Sequence, residues 1–192
     1  MLRLLLLSVF AVIPVLAHAN ARADVQRAFE RILAAGGFVA RASGNVFGPG
    51  TPVIDGDIEV IFPDRIRATT SGLTFIVTPH GAWAETFGHW TPVSRDLVPI
   101  APFDPAAMRA AIASIRDVHE VGRSKSGACP ATVYRFIGSG QLPTAAVDGT
   151  VRAWVCDGSH RLSRVEATDR SGGQIVVVFD LGRKPRVDAP DG

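Results

Sequence analysis

The sequence predicts an α+β fold in which a strongly curved antiparallel sheet wraps helices on its concave face. Three observations predict it. Helical periodicity is confined to two short stretches, near residues 24–36 and 104–115. Elsewhere the apolar residues recur with period two, the mark of strands with one covered face. The alternating runs follow one another across turns too short for a crossover helix, such as Pro63-Asp64, Pro79-His80-Gly81 and Asp157-Gly158-Ser159, so neighbouring strands must run antiparallel.

Before the first helix, residues Met1 to Ala19 have the layout of a secretory leader. Arg3 is a short positive start, Leu4 to Leu16 an apolar run, and Ala17-His18-Ala19 places small residues where a signal peptidase cuts. Ala21-Arg22-Ala23 offers a second such site, so the leader is expected to span residues 1–19 or 1–23. The apolar run falls short of the roughly twenty residues a membrane-spanning helix needs. No cysteine stands near either site to accept a lipid anchor. The remaining length suits one domain, residues 24–183, followed by a Pro- and Asp-rich tail, 184–192, that is expected to fray.

Charge excludes one class of partner. The 20 Lys and Arg against 18 Asp and Glu fall to 18 against 18 if Arg3 and Arg22 leave with the leader. No basic cluster remains, so nucleic acid is not expected to bind. Export to the periplasm would bring Cys129 and Cys156 into an oxidising compartment, where a pair of cysteines forms a disulfide.

In the domain itself, Asp24 is placed to cap a helix whose apolar face is Val25, Phe29, Ile32 and Leu33, and Gly36-Gly37 ends it. Strands then follow from Phe38. In Gly56 to Phe62, the side chains of Ile58, Val60 and Phe62 point one way and those of Asp57, Glu59 and Ile61 the other. Residues 65–70, 74–78 and 83–87 continue the meander toward Trp90. A second helix is capped by Asp104, carries Pro105 in its first turn, and shows a narrow stripe of Met108, Ala111, Ile112 and Ile115. Being slim and alanine-rich, it is expected to serve as a movable lid. The later strands are expected at residues 118–124, 131–137, 149–156, 162–169 and 174–180, with Gly138-Ser139-Gly140 as a hairpin turn.

Catalytic patterns do not emerge. The serine of Gly138-Ser139-Gly140 lacks the spacing of a nucleophile elbow. His119-Glu120 has no second histidine one turn on, and His80, His89 and His160 sit by turns without ligand spacing, so neither a metal nor another cofactor is called for. The large apolar side chains Phe75, Phe87, Trp83, Trp90 and Trp154 individually suit an ordinary core. Taken together with two thin helices, they point instead to unfilled concave volume, and such volume takes an apolar guest. The candidate guest-contacting residues are Ile58, Val60, Phe62, Phe75, Val77, Trp83, Trp90, Met108, Ile112 and Trp154.

The segments Gly56 to Arg67 and Thr74 to Trp83, and the later run from Trp154 through Leu162-Ser163-Arg164-Val165-Glu166 to Ile175, resemble the periplasmic lipoprotein-carrier family, LolA-like and LolB-like. The resemblance implies an unclosed β-barrel with helices across its mouth. It also implies a periplasmic role holding lipid or lipoprotein acyl chains, with membrane-bound donor and acceptor proteins as partners and no catalysis. An envelope hydrolase, or a structural or sensor module on the same sheet, is the alternative. One departure stands out: where the carriers have an arginine before the turn proline that helps hold the lid shut, this chain has Phe62.

Overall fold

A computed structural model describes residues 13–45, 54–70, 72–97, 104–127, 129–142 and 145–190. Helix α1 spans Ile13–Ala34, and Gly36, at φ 76°, ends it in the left-handed conformation that glycine adopts freely. Strands β1 (Gly37–Asn45), β2 (Ile54–Ile61), β3 (Arg65–Thr70), β4 (Leu73–Thr78), β5 (Gly81–Thr86) and β6 (His89–Val93) form a meander. A short 3-10 turn at Arg95–Leu97 and helix α2, Pro105–Ala113, lead into β7 (Arg116–Ser126), β8 (Cys129–Leu142), β9 (Ala145–Cys156), β10 (Leu162–Asp169) and β11 (Gln174–Phe179).

All eleven strands join one antiparallel sheet in the order β6-β5-β4-β3-β2-β1-β11-β10-β9-β8-β7. The first and last strands pair at its centre, Ala40 opposite Phe179, and the edges β6 and β7 stay unpaired with each other. The result is the predicted unclosed barrel, with α2 in the connection between its two free edges. Both helices lie on the same side, α1 against β1, β7, β9 and β10 and α2 against β8. Between helices and sheet, Val25, Ala28, Ile112, Ile115, Val118, Tyr134, Phe136, Ala153, Val155 and Leu162 form the main core. Among the described residues no helix is long and apolar enough to cross a membrane.

Local chemistry explains most boundaries. Asp104 Oδ2 accepts the Ala107 N–H at 2.8 Å, with Pro105 behind it where no amide is needed. The Ser114 hydroxyl closes the other end of α2 by donating to Ala111 O at 2.7 Å. Cys129 and Cys156 form the expected disulfide.

Four expectations are corrected. Asp24 does not cap α1, because the helix continues upstream to Ile13 and leaves no free first-turn amides there; its carboxylate instead pairs with Arg27 and accepts the Tyr134 hydroxyl at 3.4 Å. Gly138-Ser139-Gly140 makes no turn. It lies within β8, Gly138 opposite Gly149 and Gly140 opposite Val147, because the strand pairing continues through it. Phe87 is not in a strand but at the β5–β6 hairpin tip, wholly exposed at φ 53°. The stretch from Lys184, expected to fray, packs: Val187 is buried, its carbonyl accepts from Arg65 Nη1 at 3.3 Å, and the Arg186 N–H donates to Glu59 at 2.9 Å.

Candidate functional site: an apolar cavity beneath the second helix

A cavity of about 360 Å³ lies between α2 and strands β8 to β11, within the size range of ligand sites. Helix α2 supplies Ala107, Met108, Ala111 and Ile112, whose spacing puts them on one face, and Ile115 follows the helix end. The sheet supplies Phe136, Val151, Val165 and Ile175 from alternate, inward positions. Phe29 of α1 meets Phe136 edge to face, ring centres 6.3 Å apart, and walls off one end.

The volume exists because side chains are missing. Along β8 the inward positions run Phe136, Gly138, Gly140, and Ala167 of β10 lies across Val151 from Phe136; Gly149, opposite Gly138, answers instead to the close approach of the Thr168 carbonyl. A methyl group at Gly138 would meet only the Phe136 and Val151 side chains, at 3.5 and 3.6 Å, and one at Gly140 would meet nothing within 4 Å. Sequence reading missed these glycines because Gly-Ser-Gly chemistry is that of turns.

At the rim the lining turns polar: Asp169 shares the inward row of Gly149 and Gly138, while Ser139, Thr168 and Gln174 alternate with inward Gly138, Ala167 and Ile175 and turn their side chains outward. Asp169 accepts the Ser171 hydroxyl and the Gly173 N–H, each at 2.7 Å, and these bonds hold its carboxyl below the usual carboxylate range. Among the described residues no group of histidine, cysteine or carboxylate side chains could hold a metal ion.

Of the predicted guest-contacting residues, Met108 and Ile112 line the cavity. Ile58, Val60, Phe62, Phe75 and Val77 share its side of the sheet but lie farther along it. Ile58 is opposite Ala40, which is opposite Phe179 beneath the helices, and the row continues from Ile58 through Ala68 to Phe75. Trp83 and Trp90 face outward: Trp83 is in the row of Glu59, Arg67 and Ile76, and Trp90 is opposite Glu85. Trp154 also faces outward, between inward Ala153 and Val155, with the Arg164 guanidinium 5.3 Å from its ring.

Phe62, which replaces the carriers' arginine, lies 6.1 Å from Phe38, and Phe38 lies 5.4 Å from Phe179. A run of aromatic contacts thus occupies this turn. Arg65 is engaged with the tail. The C-terminal end of α2 is fastened separately. Ser114 Oγ accepts the Ser139 N–H at 3.1 Å, with its one proton shared between Ala111 O and Ser139 O, at 2.7 and 3.0 Å, while Gln26 and Arg22 of α1 donate to the carbonyls of Ile112 and Ala113.

No protein-family model and no curated protein sequence matches the chain. Among solved structures, LprF from Mycobacterium bovis is similar over 91% of this chain and 98% of its own, at 13% identity and a TM-score of 0.68. The Mycobacterium tuberculosis lipoprotein LppX is similar over 88% of this chain and 99% of its own, at 14% identity and a TM-score of 0.58. The chain has the fold of LprF and LppX. That agrees with the open, helix-crossed barrel implied by the LolA-like resemblance. A LolA superfamily protein from Nitrosomonas europaea also matches, at 12% identity and a TM-score of 0.36, over 88% of this chain and 94% of its own.

Proposed function

We propose that the protein is a periplasmic carrier or binding protein that holds an acyl chain, of a lipid or a lipoprotein, in the cavity beneath α2. The observation that carries this reading is the floor of Gly138, Gly140 and Ala167 under a roof of Ala107 and Ala111. A core of ordinary density would fill that space, and an apolar hollow that stays dry binds apolar molecules. Binding fits better than hydrolysis, because among the described lining residues the hydroxyls of Ser139 and Thr168 have no histidine or lysine for company.

Ligand entry follows from the fastening of α2. With the Ser114 end held by Ser139 and α1, the Met108 end lifts and the Ser114 end is the hinge. Membrane-bound donor and acceptor proteins would load and unload the chain. The leader is removed after Ala19 rather than Ala23, because Ala21 is buried in the core and Arg22 donates to Ala113 O at 3.3 Å. N-terminal sequencing of the exported protein should therefore read Asn20 first.

Mass spectrometry of lipids extracted from natively purified protein tests the central claim. Wild type should yield a stoichiometric acyl lipid and Gly138→Ile, which fills the hollow with a strand-favouring side chain, should yield little at unchanged melting temperature. Equal lipid in both proteins would move the ligand away from this cavity, and none in either would remove the binding reading.

A further inference from the structure

We propose that this cavity takes one acyl chain whose head group carries no negative charge, an ester- or amide-linked acyl group rather than a free fatty-acid anion, and that Asp169 enforces the choice. The proposal rests on the acyl-binding reading above. The first step concerns number. A cavity of about 150 Å³ is filled by benzene, so at similar filling 360 Å³ accommodates roughly fourteen carbons. That is one chain, with no room for a second.

The second step concerns direction. The Phe29–Phe136 pair packs into the main core on one side of the cavity, and Asp169 stands in the inward row of Gly138 and Gly149 on the other side, so the chain enters tail first and leaves its head beside Asp169.

The third step concerns charge. Among the described lining residues Asp169 is the one ionisable side chain, and its two hydrogen bonds, from Ser171 and Gly173, stop it from swinging away. The same bonds, the Ser171 one foremost, lower its pKa from the ordinary carboxylate value. The guanidiniums that flank this end in the chain, Arg116 after Ile115 and Arg170 after Asp169, carry one more charge than the carboxylate they share, but they gather on the outer face of the sheet, away from the cavity. Both close on Asp148, at 3.3 and 2.6 Å. Asp148 lies opposite Ser139, at a position that alternates with inward Gly149 and so faces outward. A fatty-acid carboxylate at the mouth therefore meets a fixed like charge, while a neutral head meets no such repulsion.

Displacement of the neutral probe N-phenyl-1-naphthylamine from the exported protein, at pH 8 and low salt, separates the cases. Monolauroylglycerol, laurate and dodecyltrimethylammonium share a chain length and differ in charge. Monolauroylglycerol and dodecyltrimethylammonium should bind one per protein, and laurate about fivefold more weakly, the effect of one unit-charge contact across water. Added salt should narrow the gap. Asp169→Asn, which keeps an oxygen for the Gly173 N–H, should raise laurate affinity relative to monolauroylglycerol until the two are level. Laurate equal to monolauroylglycerol in wild type, a variant that shifts both alike, or two chains per protein would overturn the proposal. Binding of none of the three by a protein that melts normally would overturn the acyl reading, and this one with it.

Discussion

The two halves of the sheet solve the same packing problem in opposite ways. On β2 to β4 the inward row Val60, Ile66 and Val77 is branched and buried, running directly across the strands to Ala82 of β5, and in the next row Ile58 and Phe75 flank the small Ala68. On β8 to β10 the inward side chains shrink from Phe136, Val151 and Val165 to Gly138, Gly140 and Ala167, under a helix that is itself mostly alanine. Both halves obey the same period-two alternation. The difference lies in volume, and it shows how a fold opens a cavity without any new element: side chains are small on both sides of one helix–sheet contact, and the strand pairing continues around the gap.

The largest expected effect lies where the two solutions meet. Phe136 is buried in the main core and also walls the cavity. Phe136→Ala should cost about 3 to 5 kcal/mol in urea unfolding and should lower lipid content as well. Loss of stability with full lipid content would mean that the cavity is not the ligand site. Next comes the disulfide, which links the start of β8 to the end of β9, 27 residues apart. Replacing both cysteines, Cys129→Ser with Cys156→Ala, should cost about 3 to 4 kcal/mol on the chain-entropy account and leave affinity unchanged in protein that remains folded. Equal urea midpoints for variant and oxidised wild type would show that the link adds nothing to this half.

On the other half, a conservative change should separate stability from binding. Ile66 is buried on β3, in the row of Val60 and Val77 and away from the residues that line the cavity. Ile66→Val should cost about 0.5 to 1.5 kcal/mol with no change in monolauroylglycerol affinity. A matching loss of affinity would make the sheet one coupled unit and erase the contrast between its halves.

The sequence carried the alternation, the caps and the curvature because each depends on neighbours within a few residues. Asp104 with Pro105 starts α2, and Gly36-Gly37 stops α1, by backbone chemistry alone. Which face turns inward depends on strand register across the sheet, and there local reading divided. Ile58, Val60 and Phe75 were placed together and do share the inward face. Trp83, Trp90 and Trp154 were chosen for their size, yet indole rings also suit a half-wet outer face, where Trp154 stacks on Arg164. Gly138 and Gly140 went unseen for the converse reason. A residue without a side chain gives no periodic signal, and here its absence makes the site.

The smallest neutral-pH effect concerns the contact between α1 and β8. Tyr134 is buried in the core, and its hydroxyl donates to Asp24 Oδ2 at 3.4 Å. Burial, together with the negative charges of Asp24, Glu120 and Asp157, pushes its pKa up to about 12 from the usual 10. The folded chain thus holds this proton more tightly than the unfolded chain. Its contribution is complete below pH 10, declines as pH rises toward 12, and is gone above that, since in this window the folded state binds more protons than the unfolded one. Tyr134→Phe should therefore cost no more than about 1 kcal/mol at pH 7, the worth of one long hydrogen bond. It should also flatten the fall in urea midpoint between pH 10 and 12. If wild type and variant lost stability in parallel over that range, the alkaline sensitivity would belong to groups outside this contact, and Asp24 would have no hold on β8 beyond packing.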